Sequence, residues 1–274
     1  MSTTQQWTTG IDLSKASPAR MYDYFLGGNH NFDIDRAAAQ QVLAANPLTP
    51  AMCRANRAAL GRMVGYLVDQ GIRQFLDIGS GIPTSGAVHE IAQALNPDTR
   101  VLYVDIEQVA ILHSMQLLAD NDLADAVVGD LADPDSLLAQ ITGTDLAAIV
   151  DLDQPVGVLL MSVAHFLPDD TAYPAVARLR DALPTGSYLA LTHVTADTVD
   201  ATTADTVVSV YRQQATRSLT PRSKDEVAQF FDDLTMIDPG LVWTPDWRPD
   251  PAYPDDFTAE PHRSAGYAGL ARKD

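Results

Sequence analysis

"FLDIGSGIPTSG", residues 75–86, is the stretch whose reading decides the fold. An apolar run halts at Asp77, glycines follow at Gly79 and Gly81, and a helical pattern resumes beyond them. A strand that ends in a glycine turn and feeds a helix brings backbone N–H groups up to a nucleotide-like ligand. The turn also narrows the choice of ligand. A P-loop needs a lysine and a serine or threonine after its last glycine, and no lysine stands near Gly81. A dinucleotide fingerprint needs a third glycine or alanine where Thr84 stands, and Pro83 makes the start of the helix unusual. That fingerprint is degraded but not excluded.

Outward from the turn, short apolar runs alternate with helical ones. Strands are expected at 74–78, 100–104, 126–128, 156–161 and 187–193, and helices at 84–95, 108–121, 134–140 and 171–183. Runs such as VGVLLM are continuously apolar, as for parallel strands covered on both faces. The alternation predicts right-handed β-α-β units in an α/β fold, a doubly wound, mostly parallel sheet. Upstream, three helices are expected: one starting at Ser17-Pro18 and ending at Gly27-Gly28, one over 33–45, and one over 50–70 capped by Gly71. Downstream come a threonine-rich helix leading to Tyr211 and Arg212, and a capping box at Ser223-Lys-Asp-Glu226. LVWTPDW and GYAGLAR read as a final antiparallel hairpin at the sheet edge. The expected division is a helical cap over 1–72 and a Rossmann-like domain over 73–274, packed as one unit.

Two further strand ends carry acids. Asp105 closes VLYVD, followed by Ile106, and Asp130 stands in VVGDL, followed by Leu131. Together with the turn they suit S-adenosylmethionine, which lacks phosphate but offers a carboxylate, a sulfonium, a ribose diol and an adenine. Backbone at Gly79, Ser80 and Gly81 approaches the amino-acid part, and a helix N-terminus favours its carboxylate. Asp105 suits the diol, and Asp130 with the Leu131 amide suits the adenine. Each acid alone also reads as a helix cap or a solvated loop residue, and Asp77 as an acid that fixes the turn.

The order DIGSG, YVDIE, VVGDL resembles class I S-adenosylmethionine-dependent methyltransferases. More narrowly, SPARMYDYFLGGNHNFDIDR, FLDIGSGIPTSG and TPRSKDEVAQFFDDL resemble an actinobacterial methyltransferase-like family, formerly a domain of unknown function, from about Ser17 to Ala271. The resemblance implies a Rossmann-like class I fold, S-adenosylmethionine as cofactor and S-adenosylhomocysteine as product. It implies no particular methyl acceptor. It also leads one to expect lysine where this chain has His30.

Methyl transfer from a sulfonium is an in-line displacement, carried out above the carboxyl ends of the strands. The fourth strand ends in MSVAHF, which places Ser162 at the cofactor and makes His165 the general-base candidate, since imidazole titrates near neutrality. His165 reads equally as packing beside the cofactor, and His193 as a second candidate or a hydrogen-bonded strand end. The Asn/Asp-Pro-Pro-aromatic motif of enzymes that methylate nucleic-acid bases is missing there. Arg20, Tyr22 and Asn29, ahead of the first strand, are candidates for a lid: Arg20 on the cofactor carboxylate, Tyr22 or Asn29 on its amino-acid part. The histidines show no metal spacing, so no metal is expected.

Composition sets the remaining bounds. With 36 acidic against 18 basic residues, the net charge of −18 disfavours a surface that grips nucleic-acid phosphates. Cys53 is the single cysteine, which excludes an intramolecular disulfide. The first fifteen residues lack a secretory pattern, and no apolar run is long enough to span a bilayer. The expectation is a cytoplasmic protein with a small-molecule substrate and no membrane or nucleic-acid partner. A second reading, a non-catalytic S-adenosylmethionine-binding regulator or scaffold, stays open because the acid–base residues are few.

Overall fold

In the computed structural model, residues 13–82 and 86–274 are described. Pro83 and Thr84, on which the reading of the glycine turn leans, lie outside them, as do the first twelve residues. Five parallel strands form the centre of an eight-stranded sheet: β1 (Gln74–Ile78), β2 (Arg100–Asp105), β3 (Ala124–Val128), β4 (Gly157–Met161) and β5 (Tyr188–Val194). Their order across the sheet is β3-β2-β1-β4-β5, so the winding reverses between β1 and β4. Every residue of β1 and β4 is buried, which is why their sequences are apolar without alternation.

The C-terminal strand β8 (Gly266–Arg272) runs antiparallel against β5 over its whole length. On its other side it pairs with two-residue strands, β6 (Thr235–Met236) and β7 (Val242–Trp243). The expected antiparallel pair is present as β7 and β8, and β6 is an addition too short to leave a pattern in the sequence.

The first three helices are α1 (Pro18–Phe25), α2 (Asp33–Ala45) and α3 (Thr49–Asp69). Between the strands lie α4 (Val88–Leu95), α5 (Gln108–Leu117), α6 (Pro134–Gly143) and α7 (Asp169–Ala182), and after β5 come α8 (Ala201–Gln214) and α9 (Lys224–Ala228). Side chains alternate between the two faces of each strand, so β1 sends Phe75 to one core and Leu76 and Ile78 to the other. The first face packs on Leu60, Met63, Val64 and Leu67 of α3, the second on Leu137 of α6 and Val176 of α7. A third core lies away from the sheet and joins Met21 and Phe25 of α1, Val42 of α2, Cys53 of α3 and Tyr211 of α8.

The third core shows how the cap is built. Helix α3 belongs to two cores at once, its first turns to the cap and its later turns to the sheet. Helix α8, far along the chain, closes the cap from the other side, and Gln41 and Gln214 exchange amide hydrogen bonds at 3.0 and 2.7 Å between α2 and α8. Local expectations also change: the helix expected over 84–95 begins at Val88, and the one over 108–121 ends at Leu117. Ser17 stands at the N-cap of α1, but its side chain makes no capping bond; its backbone N–H donates instead to Asp35 Oδ1 at 2.9 Å. Strand β2 runs one residue past Val104, so Asp105 is held in the ladder opposite Val128.

Candidate functional site

A cavity opens above the carboxyl ends of the parallel strands, at the β1/β4 reversal, where doubly wound sheets bind ligands. Its floor is the glycine turn. Gly79 and Gly81 have φ of 71° and 65°, a conformation that costs a side-chain-bearing residue energy. At Gly79 a Cβ would also lie 2.2 Å from the Val163 side chain, so only glycine fits. The N–H groups of Gly79 and Ser80 donate to Val104 O at 2.7 and 3.1 Å, which folds the turn back against β2. Ser80 Oγ is buried with no hydrogen-bond partner among the described residues.

Asp105 is oriented by two backbone donors, Gly81 N to Oδ2 at 2.7 Å and Glu107 N to Oδ1 at 2.8 Å. Burial pushes its pKa up to about 6, and those N–H groups hold it from rising further. Asp77 lacks such support: among the described residues its carboxyl has no hydrogen-bond partner. Burial pushes it up to about 7, opposed by the Arg57 guanidinium and reinforced by Asp105. Ile106, half exposed, and Leu131, buried, give the rim apolar surface beside the acids. Asp130 Oδ1 accepts from Ala132 N at 2.9 Å, while Oδ2 accepts from Arg217 Nη2 at 2.8 Å.

The cap is tied to this floor by a continuous polar chain. Ser162, strained at φ 58° where β4 ends, donates its N–H to Thr192 Oγ1 at 2.9 Å. Thr192 donates to Asn56 Oδ1 at 2.5 Å, Asn56 Nδ2 to Tyr22 Oη at 2.9 Å, and Tyr22 to Cys53 O at 3.0 Å. Ser162, Thr192, Asn56 and Tyr22 all line the cavity. Cys53 lines it too, as an inert thiol, because burial pushes its pKa up to about 12.

Arg20 and Asn29 are not among the residues that line the cavity. Asn29 is exposed in the turn after α1. Arg20 is buried, with Nε on Asp35 at 2.7 Å, Nη1 on Glu107 at 2.9 Å and Nη2 on Lys15 O at 3.2 Å. Its charge is thus spent inside the protein, joining α1 and α2 to the loop after β2. Asp23, from the same N-terminal motif, shapes the next loop by accepting from His30 N and Asn31 Nδ2, both at 2.8 Å. The His30 ring packs at a 45° tilt against His113 of α5, with centroids 3.8 Å apart.

His165 is buried in the cavity wall. Its Nδ1 faces the Val194 N–H at 3.4 Å, and a backbone N–H only donates, so the ring proton sits on Nε2. Burial, then the neighbouring His193 and Arg222, push its pKa well below the usual imidazole value. A neutral ring with Nε2–H is a hydrogen-bond donor. In His193 both nitrogens are committed, Nδ1 to Val194 O at 2.7 Å and Nε2 to Arg222 Nη1 at 2.9 Å. Arg222, from the TPRSKDEV motif, also donates to Ala164 O, Leu167 O and Asp169, and so fixes the loop that carries His165.

Four residues at or behind the site escape sequence reasoning. Asn56 and Arg57 interrupt the apolar face of α3 beside Cys53 and Leu60, a polar break in a buried stripe that marks them in retrospect. Arg217 and Arg222 lie in an irregular segment with no periodicity to assign them. Among the described residues no group of side chains is arranged to hold a metal ion.

The family described as S-adenosyl methyltransferase matches residues 4–274. Among solved structures, a candidate methyltransferase from Thermobifida fusca is 36% identical, with 97% of each chain covered and a TM-score of 0.87. A DUF574 family protein from Streptomyces avermitilis is also 36% identical, over 96% of this chain and 100% of its own, at a TM-score of 0.89. The N-methyltransferase NodS from Bradyrhizobium japonicum, solved with S-adenosylhomocysteine, shares the fold at 14% identity, with 93% and 98% covered and a TM-score of 0.50. The comparison with curated proteins returned no match.

Proposed function

The chain belongs to the S-adenosyl methyltransferase family, and from that premise we propose that it methylates a small molecule in the cavity beneath its helical cap. The observation that carries the reading is the trio of strand-end acids, Asp77, Asp105 and Asp130, opening with the glycine turn into one cavity. The residues fit S-adenosylmethionine. Asp77 is a buried carboxylate without a hydrogen-bonded partner among the described residues, which suits an ammonium. Arg57 beside it suits a carboxylate, the unsatisfied Ser80 hydroxyl a further polar group, and Asp105 the ribose diol. Asp130 and the Leu131 amide suit the adenine, with Ile106 and Leu131 as apolar walls.

When bound, S-adenosylmethionine supplies an electrophilic methyl group on a sulfonium. The protein's share is positioning and exclusion of water. The chain Ser162–Thr192–Asn56–Tyr22 holds the cap over the strand ends, and His165 offers a donor to whatever lies under the cap. The acidic surface, at −18 overall, supports a small-molecule acceptor over nucleic acid, and no described helix is long and apolar enough to cross a membrane. Calorimetric titration with S-adenosylmethionine, S-adenosylhomocysteine and NAD tests the cofactor; binding of NAD alone would overturn the reading. Mass spectrometry of extracts incubated with protein and cofactor then reports any product heavier by one methyl group.

A further inference from the structure

The cavity does not end at the cofactor residues. It continues under the cap, where Phe25 of α1, Val42 of α2, Met52 of α3 and Val207 and Tyr211 of α8 form the wall. These four helices also carry Asp23, Asp33, Asp35, Asp69 and Asp205, none of which lines it. Of their charged side chains, Arg57 alone does, and it points to the turn, bonding Gly86 O at 2.6 Å. The carboxylates that line the cavity, Asp77, Asp105, Glu107 and Asp130, all come from the strands and the loops after them, so the four helices present none. A charged ligand against this wall would lose hydration on burial and meet no charged helix side chain other than Arg57.

The wall is also aromatic and carries free donors. The Phe166 ring lies between His165, at 4.5 Å centroid to centroid, and Tyr211, at 5.7 Å. Tyr211 is 7% exposed, yet its hydroxyl has no hydrogen-bond partner among the described residues. Burial raises its pKa, so the hydroxyl keeps its proton. His165 brings Nε2–H to the same wall, also without a partner among the described residues. Two neutral donors in a buried aromatic wall suit oxygen acceptors on a flat molecule.

We propose that the cap half of the cavity takes a neutral, flat aromatic methyl acceptor bearing an oxygen hydrogen-bond acceptor, stacked at Phe166 and held by the Tyr211 hydroxyl and His165 Nε2–H. This rests on the methyltransferase reading of the cofactor half. The test is binding of four naphthalene probes to the protein saturated with S-adenosylhomocysteine, followed by calorimetry and saturation-transfer NMR. The probes are 2-acetylnaphthalene, 2-ethylnaphthalene, 2-naphthoate and 2-naphthylmethylammonium. The neutral ketone binds at least about tenfold tighter than either ion, and Tyr211→Phe weakens it by about three- to tenfold while leaving 2-ethylnaphthalene unchanged. Val207→Asp abolishes binding of both neutral probes with S-adenosylhomocysteine affinity retained. Equal or tighter binding of an ion, or no probe bound to a protein that still takes S-adenosylhomocysteine, overturns the proposal and leaves the methyltransferase reading standing. Failure to bind S-adenosylhomocysteine removes both. Should either variant misfold, the probe series on the unmodified protein decides.

Discussion

Around the strand ends the cavity is charged and pre-satisfied by backbone: Asp105 takes N–H groups from Gly81 and Glu107, and Asp130 takes one from Ala132. Under the cap it is neutral and ringed by Phe25, Phe166 and Tyr211, with donors that nothing in the wall accepts. The first region is made by successive strands of one sheet, whose ends converge whatever packs above them. The second is made by α1, α2 and α3, consecutive in the chain, and by the much later α8 that closes against them.

The joint between the regions is the place to break first. Arg20→Met leaves Asp35 and Glu107 without their shared cation, and a drop in stability of about 3–5 kcal/mol is expected by urea unfolding, with weaker cofactor binding as the cap detaches. Asp105→Asn keeps the shape of the cofactor end but removes its charge. It is expected to weaken S-adenosylmethionine by about 10- to 150-fold in calorimetry, the equivalent of 1.5–3 kcal/mol. Equal losses from Asp105→Asn and Tyr211→Phe would erase the division into a cofactor half and an acceptor half.

Asp77 sharpens the contrast through pH. Its pKa in the folded protein, about 7, lies above the ordinary aspartate value of about 4. Its protonated form therefore stabilises the cofactor-free fold fully below about pH 4, and that stabilisation is lost as pH rises through about 7. A ligand ammonium prefers the carboxylate, so cofactor affinity should rise between pH 5.5 and 7, by about tenfold per unit at most, with proton release on binding. Asp77→Asn flattens that profile, lowers affinity at pH 7.5 and raises the melting temperature of the cofactor-free protein. The smallest effect belongs to Arg217→Ala. The Arg217–Asp130 pair is one-third exposed, so its removal shifts stability by less than about 1 kcal/mol. It frees Asp130, and a cofactor affinity that tightens by a few-fold and loses salt dependence is the expected reading.

The helix and strand elements were legible because their signals are local. The expected spans of β1 and α2 coincide with the observed ones, and the glycines read as a turn stand in one, at positive φ. The acids at 77, 105 and 130 could be picked out because in a parallel sheet each strand ends on the same rim. Arg20 could not be assigned from its motif alone. Its partners, Asp35 and Glu107, lie 15 and 87 residues away, and a lone arginine in a helix carries no mark of which acid will neutralise it. His165 is similar: its proton position depends on the Val194 N–H from the neighbouring strand.

By itself the sequence determined the doubly wound sheet, the glycine turn and the row of strand-end acids that open into one cavity. These follow from hydrophobic period, turn chemistry and the direction of parallel strands, all readable within a few tens of residues. Only the tertiary structure decided that Arg20 is an internal tie and that His165 is a donor. It also decided that α8 completes the cap and that Phe25, Phe166 and Tyr211 line the cavity beneath it. Those properties are set by which distant side chains share one buried space, and burial, more than residue type, determines where a proton or a charge resides.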